Sequence, residues 1–330
     1  MSHRKPDKPG AVAPGGAAGA AWVDVHQHVI PPSWRALAEE GTGNVGWALP
    51  AWDPESARAF RRERGIGAAM LSNNISSVIT GRPDQVDLVR RSNDYCAELV
   101  AGSPRELGFF ASLPLPGPGD PLEAVLAELD RALGELGAGG VVLPTSVAGT
   151  YLGDPCFEPL WAELDRREAV VFLHPDEPTF PALPGVPAVL LDFVLETMRC
   201  AVQLVANGVV HRHQRVRIIL SHGSGGLASV AHRVAYGLPM VDPGRSGEEW
   251  LADFRRFYVE TSLSSTGPAL AALSAFLPEG HVLFGTDHPY APVHAVDRFR
   301  SHLRDAPLED GWRSSVQAGA ALALFPGLHP

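Results

Sequence analysis

Eight short apolar runs, each ending in a polar or turn residue and each followed by a segment of helical spacing, constrain this chain more than any other feature. They are Trp22–His28, Gly65–Ser72, Leu107–Pro114, Gly139–Thr145, Ala169–His174, Val216–His222, Phe257–Ser262 and Val282–Asp287. Between them apolar residues recur at three- and four-residue steps, as in Leu122, Val125, Leu126, Leu129, Leu133 and Leu136, or Phe157, Leu160, Trp161 and Leu164. A strand that is apolar on both faces has to be covered on both, which a parallel sheet with crossover helices achieves. Eight such units in about 300 residues predict a closed (β/α)8 TIM barrel. An open doubly wound sheet is the alternative, but no glycine-rich phosphate turn follows the first run to support it.

The barrel is expected to fill residues 22–330 as one domain, with an extra C-terminal helix at about 310–325. Residues 1–21, rich in Ala, Gly and Pro, read as a disordered tail. Residues 29–54 and 175–192 are longer than ordinary connections and are expected to lie as lids over one end. No run of about 18 residues is free of charges and turn signals, so no membrane span is expected. With 37 acidic against 27 basic residues, the net charge of -10 would repel a phosphate backbone, and nucleic acid is not an expected partner. Three widely spaced cysteines, Cys96, Cys156 and Cys200, form no zinc or disulfide pattern and read as reduced thiols of a cytoplasmic protein.

Lysine occurs only at Lys5 and Lys8, both inside the tail. The folded body therefore has no Schiff-base lysine, no phosphate-loop lysine and no carbamylated lysine to bridge two metals.

Chemistry-bearing residues gather at the C-terminal ends of the strands. The first reads Val23-Asp24-Val25-His26-Gln27-His28, and strict alternation would put Asp24, His26 and His28 on one face. Two imidazoles at that spacing can chelate one ion. Strand five ends at His174, strand six at His222 and strand eight at Asp287, all at the barrel mouth where active sites form. Three neutral imidazoles and a carboxylate suit zinc, with manganese and iron less selective, and leave a position for water or substrate. Asp24 reads equally as a group orienting an imidazole or as a buried acid paired with a backbone donor.

His211 and His213 repeat the spacing of the first pair, but they precede strand six and so belong to the opposite, structural end. Arg199 reads as a solvated helical arginine, whereas Arg233, about three turns beyond His222, is a candidate bidentate partner for a substrate carboxylate. Trp34, Trp47, Trp52, Phe180 and Tyr290 could wall a pocket or simply pack the lids.

These residues resemble the amidohydrolase-related superfamily, and within it the aminocarboxymuconate-semialdehyde decarboxylase-like branch. The likeness covers nearly the whole chain after the tail. It is carried by Val23 to His28 with Pro31-Pro32, by Gly149-Thr150-Tyr151-Leu152-Gly153-Asp154-Pro155, by His174-Pro175, by Ser221-His222-Gly223 and by Phe284-Gly285-Thr286-Asp287-His288-Pro289-Tyr290. Within the branch the pattern is nearest that of methylsalicylate decarboxylases. The resemblance implies one divalent metal ion per chain, held by His26, His28, His174 and Asp287, with zinc expected first and manganese second. It also implies His222 as a catalytic group that is not a ligand or only a weak one, Arg233 facing substrate, and a homodimer.

The expected reaction is metal-dependent, non-oxidative decarboxylation of a small phenolic or unsaturated carboxylic acid of the salicylate type, with Asp287, or His222 through a water, as proton donor. The alternative is hydrolysis of an amide or lactone at the same residues, with Asp287 or His222 activating water.

Overall fold

The computed structural model describes residues 21–40, 49–73, 75, 78–176 and 178–330. The expected tail thus lies outside the described residues but for Ala21, and so does Trp47. Eight parallel strands form one sheet in chain order: β1 (Trp22–His28), β2 (Ile66–Ser72), β3 (Leu107–Ala111), β4 (Gly140–Pro144), β5 (Val170–His174), β6 (Arg217–Leu220), β7 (Tyr258–Glu260) and β8 (Val282–Leu283). The sheet closes into a barrel through the irregular segment after β8: Val25 N–H donates to the Phe284 carbonyl, Asp287 N–H to that of His26 and His28 N–H to that of His288. Helices such as Gln85–Gly102, Asp192–Ala206 and Gly267–Phe276 carry the chain back between strands. None of the described helices is long and apolar enough to cross a membrane.

The strands read as apolar runs because they are buried on both sides. Val141, Leu143, Val171 and Leu173 pack outward against the helices, in a core that also holds Leu160, Trp161 and Leu204. Val142, Phe172, Ile219, Met70 and Phe110 fill the barrel interior. The C-terminal segment seals the bottom: Leu324, Phe325 and Leu328 join the interior cluster, and His329 N–H donates to the Arg105 carbonyl just before β3. A Cβ on Gly67 would sit 2.7 Å from the Pro330 side chain, so that glycine admits the chain terminus. The expected extra helix is present as two short α-helices, Asp310–Ser314 and Ala320–Leu324, joined by a π-helical turn. With that end plugged among the described residues, the barrel opens at its C-terminal mouth.

Strand β1 corrects one expectation. Its pairing with β2 matches Asp24 to Ala69 and Gln27 to Leu71, so three residues on β1 span two on β2. This bulge restarts the alternation. Val23 and Val25 face the barrel interior, and the bulge then turns His26 and His28 inward as well, leaving Asp24 and Gln27 together on the other side. Asp24 therefore does not share the face of the imidazoles.

Candidate metal centre and cavity

The bulge of β1 delivers His26 and His28 to the top of the barrel. Their Nε2 atoms lie 3.0 Å apart. From the segment after β8, Asp287 brings Oδ1 to 3.3 Å from His26 Nε2 and 3.1 Å from His28 Nε2. His174 enters from β5, its ring centre 5.0 Å from that of His26 and 4.8 Å from that of His28. One ligand atom from each of the four residues falls within a group no wider than 4.8 Å. The edge of a tetrahedron with bonds of about 2.1 Å is about 3.4 Å, close to the separations among the His26, His28 and Asp287 atoms. Three imidazole nitrogens and a carboxylate oxygen turned toward one point form a donor set that suits a divalent cation, so the residues fit such an ion.

Neighbouring groups set the imidazole tautomers. The Pro175 carbonyl, 2.7 Å from His174 Nδ1, can only accept, so Nδ1 carries the proton and Nε2 keeps its lone pair. For His26 the corresponding acceptor is Glu260, whose Oε1 lies 3.0 Å from Nδ1. Burial lowers the pKa of His174 well below the ordinary imidazole value and lowers that of His28 too, with the neighbouring imidazoles adding to the effect. Both are thereby kept in the neutral form a metal needs. Burial acts the same way on His26, but the charges of Glu260 and Asp287 outweigh it and raise its pKa. Asp287 would be raised by burial, yet the His26 charge and hydrogen bonds from His222 and His28 hold it well below the carboxylate range.

Glu260, at the end of β7, supports this site. Besides His26 it accepts from the backbone N–H of His222 and from Ser262 N–H at 2.6 Å. Burial would raise its carboxyl, but His26 first, then His222 and the Ser262 amide, bring it below the usual value. Gly285 makes the room, since a Cβ there would stand 2.1 Å from Glu260 Oε2. The signal in the sequence was a lone acid in an otherwise apolar strand, Phe257-Tyr258-Val259-Glu260. We expect Glu260→Gln to weaken metal binding about 10–100-fold, measured by chelator competition. Unchanged affinity would remove Glu260 from the support of His26.

Asp24 is resolved as a buried strand acid with backbone donors. It accepts from the N–H groups of His26 and Thr286, both at 3.0 Å, from Thr286 Oγ1 at 2.6 Å and from Gln27 Nε2 at 2.9 Å. Burial outweighs these donors and pushes its carboxyl up to about 6. Its bonds latch β1 to the segment that carries Asp287, and Arg61 closes the group by donating to Gln27 Oε1.

His222 stands beside the four. Its Nε2 lies 3.5 Å from Asp287 Oδ2, on the oxygen away from His26 and His28, and its buried Nδ1 has no hydrogen-bond partner among the described residues. His222 and Asp287 both adopt left-handed backbone, with φ of 52° and 60°. Such conformations cost energy and gather at functional sites. The turn after His222 also runs left-handed, and Gly225 is required there because a Cβ would lie 1.9 Å from the Val194 carbonyl oxygen. Ser224 holds the same conformation and donates through Oγ to the Gly223 carbonyl.

These groups floor a cavity of about 480 Å³ at the barrel mouth. Trp34 and Tyr290 line it, as expected of wall residues. Trp52 instead packs in the core, and Phe180 lies under the Arg199 guanidinium at 5.1 Å. Arg199 also donates to the Tyr151 hydroxyl at 2.7 Å. Arg233 is exposed on the helix Leu227–Gly237, and the described cavity wall of this chain includes no arginine or lysine. His211 and His213 lie before β6, toward Asp253 and Glu158.

A family model described as amidohydrolase matches residues 23–327. The chain belongs to the amidohydrolase family. This amidohydrolase is similar to 6-methylsalicylic acid decarboxylase of Penicillium expansum, with 38% identity over 93% of this chain and 97% of the relative. It is similar also to gamma-resorcylate decarboxylase of Rhodococcus jostii, with 30% identity over 80% and 84%. Among solved structures, 2,6-dihydroxybenzoate decarboxylase complexed with 2,6-dihydroxybenzoate matches at TM-score 0.74 and 25% identity, over 93% of this chain and 99% of that one. An amidohydrolase II matches at TM-score 0.83 and 27% identity, over 93% and 100%.

Proposed function

We propose that this amidohydrolase removes carbon dioxide, without oxidation, from a salicylate-type hydroxybenzoate, using one divalent cation held by His26, His28, His174 and Asp287. The carboxy-lyase activity rests on its decarboxylase relatives. The carrying observation is the convergence of four ligand atoms, with His222 beside them, on the floor of a largely apolar cavity. Three nitrogen donors and one oxygen favour zinc, with manganese second.

Breaking an aryl–carboxylate bond directly would leave a localised carbanion, so the ring carbon has to gain a proton before carbon dioxide leaves. When bound, the cation supplies Lewis-acid stabilisation of the phenolate and carboxylate oxygens. His222 and Asp287, facing each other across 3.5 Å, are placed to pass a proton to that ring carbon. The C–C electron pair then returns to the ring. Within this chain the metal end is where the substrate's negative charge would be met. Trp34 and Tyr290 flank that end and shed water from it.

Incubation of the metal-loaded protein with 6-methylsalicylate is expected to release equimolar carbon dioxide and 3-methylphenol, measured by headspace analysis and chromatography. Ring-opened acid from a lactone, with no carbon dioxide from the salicylate, would instead support the hydrolase reading. A homodimer is supported by the exposed apolar residues Tyr236, Met240 and Val241 on one stretch of surface. Light scattering should give twice the chain mass of 35.2 kDa, and a monomer at that mass would refute the dimer. Cys96, Cys156 and Cys200 are free thiols, which supports the cytoplasmic setting expected from the sequence.

A further inference from the structure

We propose that the preferred substrate carries an apolar ring substituent longer than methyl. This inference rests on the decarboxylase reading and names the substrate class that the cavity favours. The cavity wall carries a few polar groups near the metal ligands: Asn73 follows the end of β2, Asp176 follows His174 by two residues, and Ser264 packs against Gly223, the neighbour of His222. The remaining described wall is dominated by aliphatic and aromatic side chains, among them Val78, Val189, Leu190, Phe193, Val194 and Phe299. Burying a charged or hydroxylated extension against these groups would cost hydrogen bonds, whereas burying hydrocarbon there gains.

Size points the same way. Even at liquid water's share of about 30 Å³ per non-hydrogen atom, the roughly eleven such atoms of a methyl-substituted hydroxybenzoate need only about 330 Å³. The cavity offers about 480 Å³. The difference holds a short chain of about three to five carbons. Its path is marked by Leu190, which lines the cavity while 66% exposed, so an apolar surface runs out to the mouth. An exposed leucine is unremarkable alone, but one continuous with an apolar cavity wall extends the binding surface.

The test is a comparison of 6-methyl-, 6-propyl- and 6-pentylsalicylate with the metal-loaded native protein. Each fully buried methylene is worth a factor of about four, so with two more of them kcat/KM for the propyl compound should exceed that for the methyl compound by up to about 15-fold. In Val189→Trp, which fills the wall, the propyl-to-methyl ratio should fall toward one, and Leu190→Asp should lower it as well. A native ratio at or below one would overturn the inference while leaving the decarboxylase reading intact. A native advantage that both variants retain would also overturn it, by placing the chain elsewhere. Failure of every compound, the methyl one included, would bring down the decarboxylase reading and this inference with it.

Discussion

His174→Ala is expected to abolish stoichiometric metal binding and to lower kcat/KM by about a thousandfold or more, with the fold intact. His26 and His28 come from the same strand and Asp287 from the segment beside it, whereas His174 alone reaches in from β5. Its removal leaves three donors on one side of the site and opens the other. The cation's stabilisation of developing charge is worth several kcal/mol, and each 1.36 kcal/mol is tenfold in rate. The rim position of His174 keeps the structural cost small, since the ring packs on other imidazoles and on Phe172 rather than in the aliphatic core. Elemental analysis, kinetics and a thermal melt on one preparation would separate these effects. A variant that keeps full metal and full activity would remove His174 from the site.

His222→Gln is the complementary case. Glutamine approximates the size of the ring and leaves the backbone N–H that donates to Glu260, but it cannot shuttle a proton near neutral pH. We expect kcat to fall about 10²- to 10⁴-fold, the usual contribution of a positioned acid–base group, with KM and metal content changed little. His222 Nε2 faces the Asp287 oxygen that is turned away from His26 and His28, as the proposed proton transfer requires. Loss of the metal along with activity would make His222 a ligand. Retention of kcat would leave proton transfer to Asp287 alone.

The eight-unit barrel was legible because buried parallel strands leave a plain trace, namely apolar runs without alternation. The meeting of His26, His28, His174 and Asp287 follows from the same reading, since strand ends of a closed barrel share one mouth. Asp24 was misplaced because period-two alternation assumes a regular strand, and no residue in Trp22 to His28 announces the bulge that opposes three residues to two. The role of Glu260 was not legible because its partner His26 lies 234 residues away, so no local spacing relates them. For Arg233, a helical position three turns past His222 fixes a distance along the axis but not the direction in which the side chain leaves it, and in this chain it is exposed. The strand boundaries near the site also shifted. β8 ends at Leu283, and Asp287 reaches the mouth on irregular backbone that continues the pairing with β1 through hydrogen bonds rather than as a regular strand.

The most direct test is anomalous diffraction from crystals of the protein loaded with zinc, recorded on both sides of the absorption edge. The predicted map has one peak per chain at the barrel mouth, within about 2.0–2.2 Å of His26 Nε2, His28 Nε2, His174 Nε2 and an Asp287 oxygen. A peak bound elsewhere, or one that leaves His174 or Asp287 beyond bonding distance, would contradict the account.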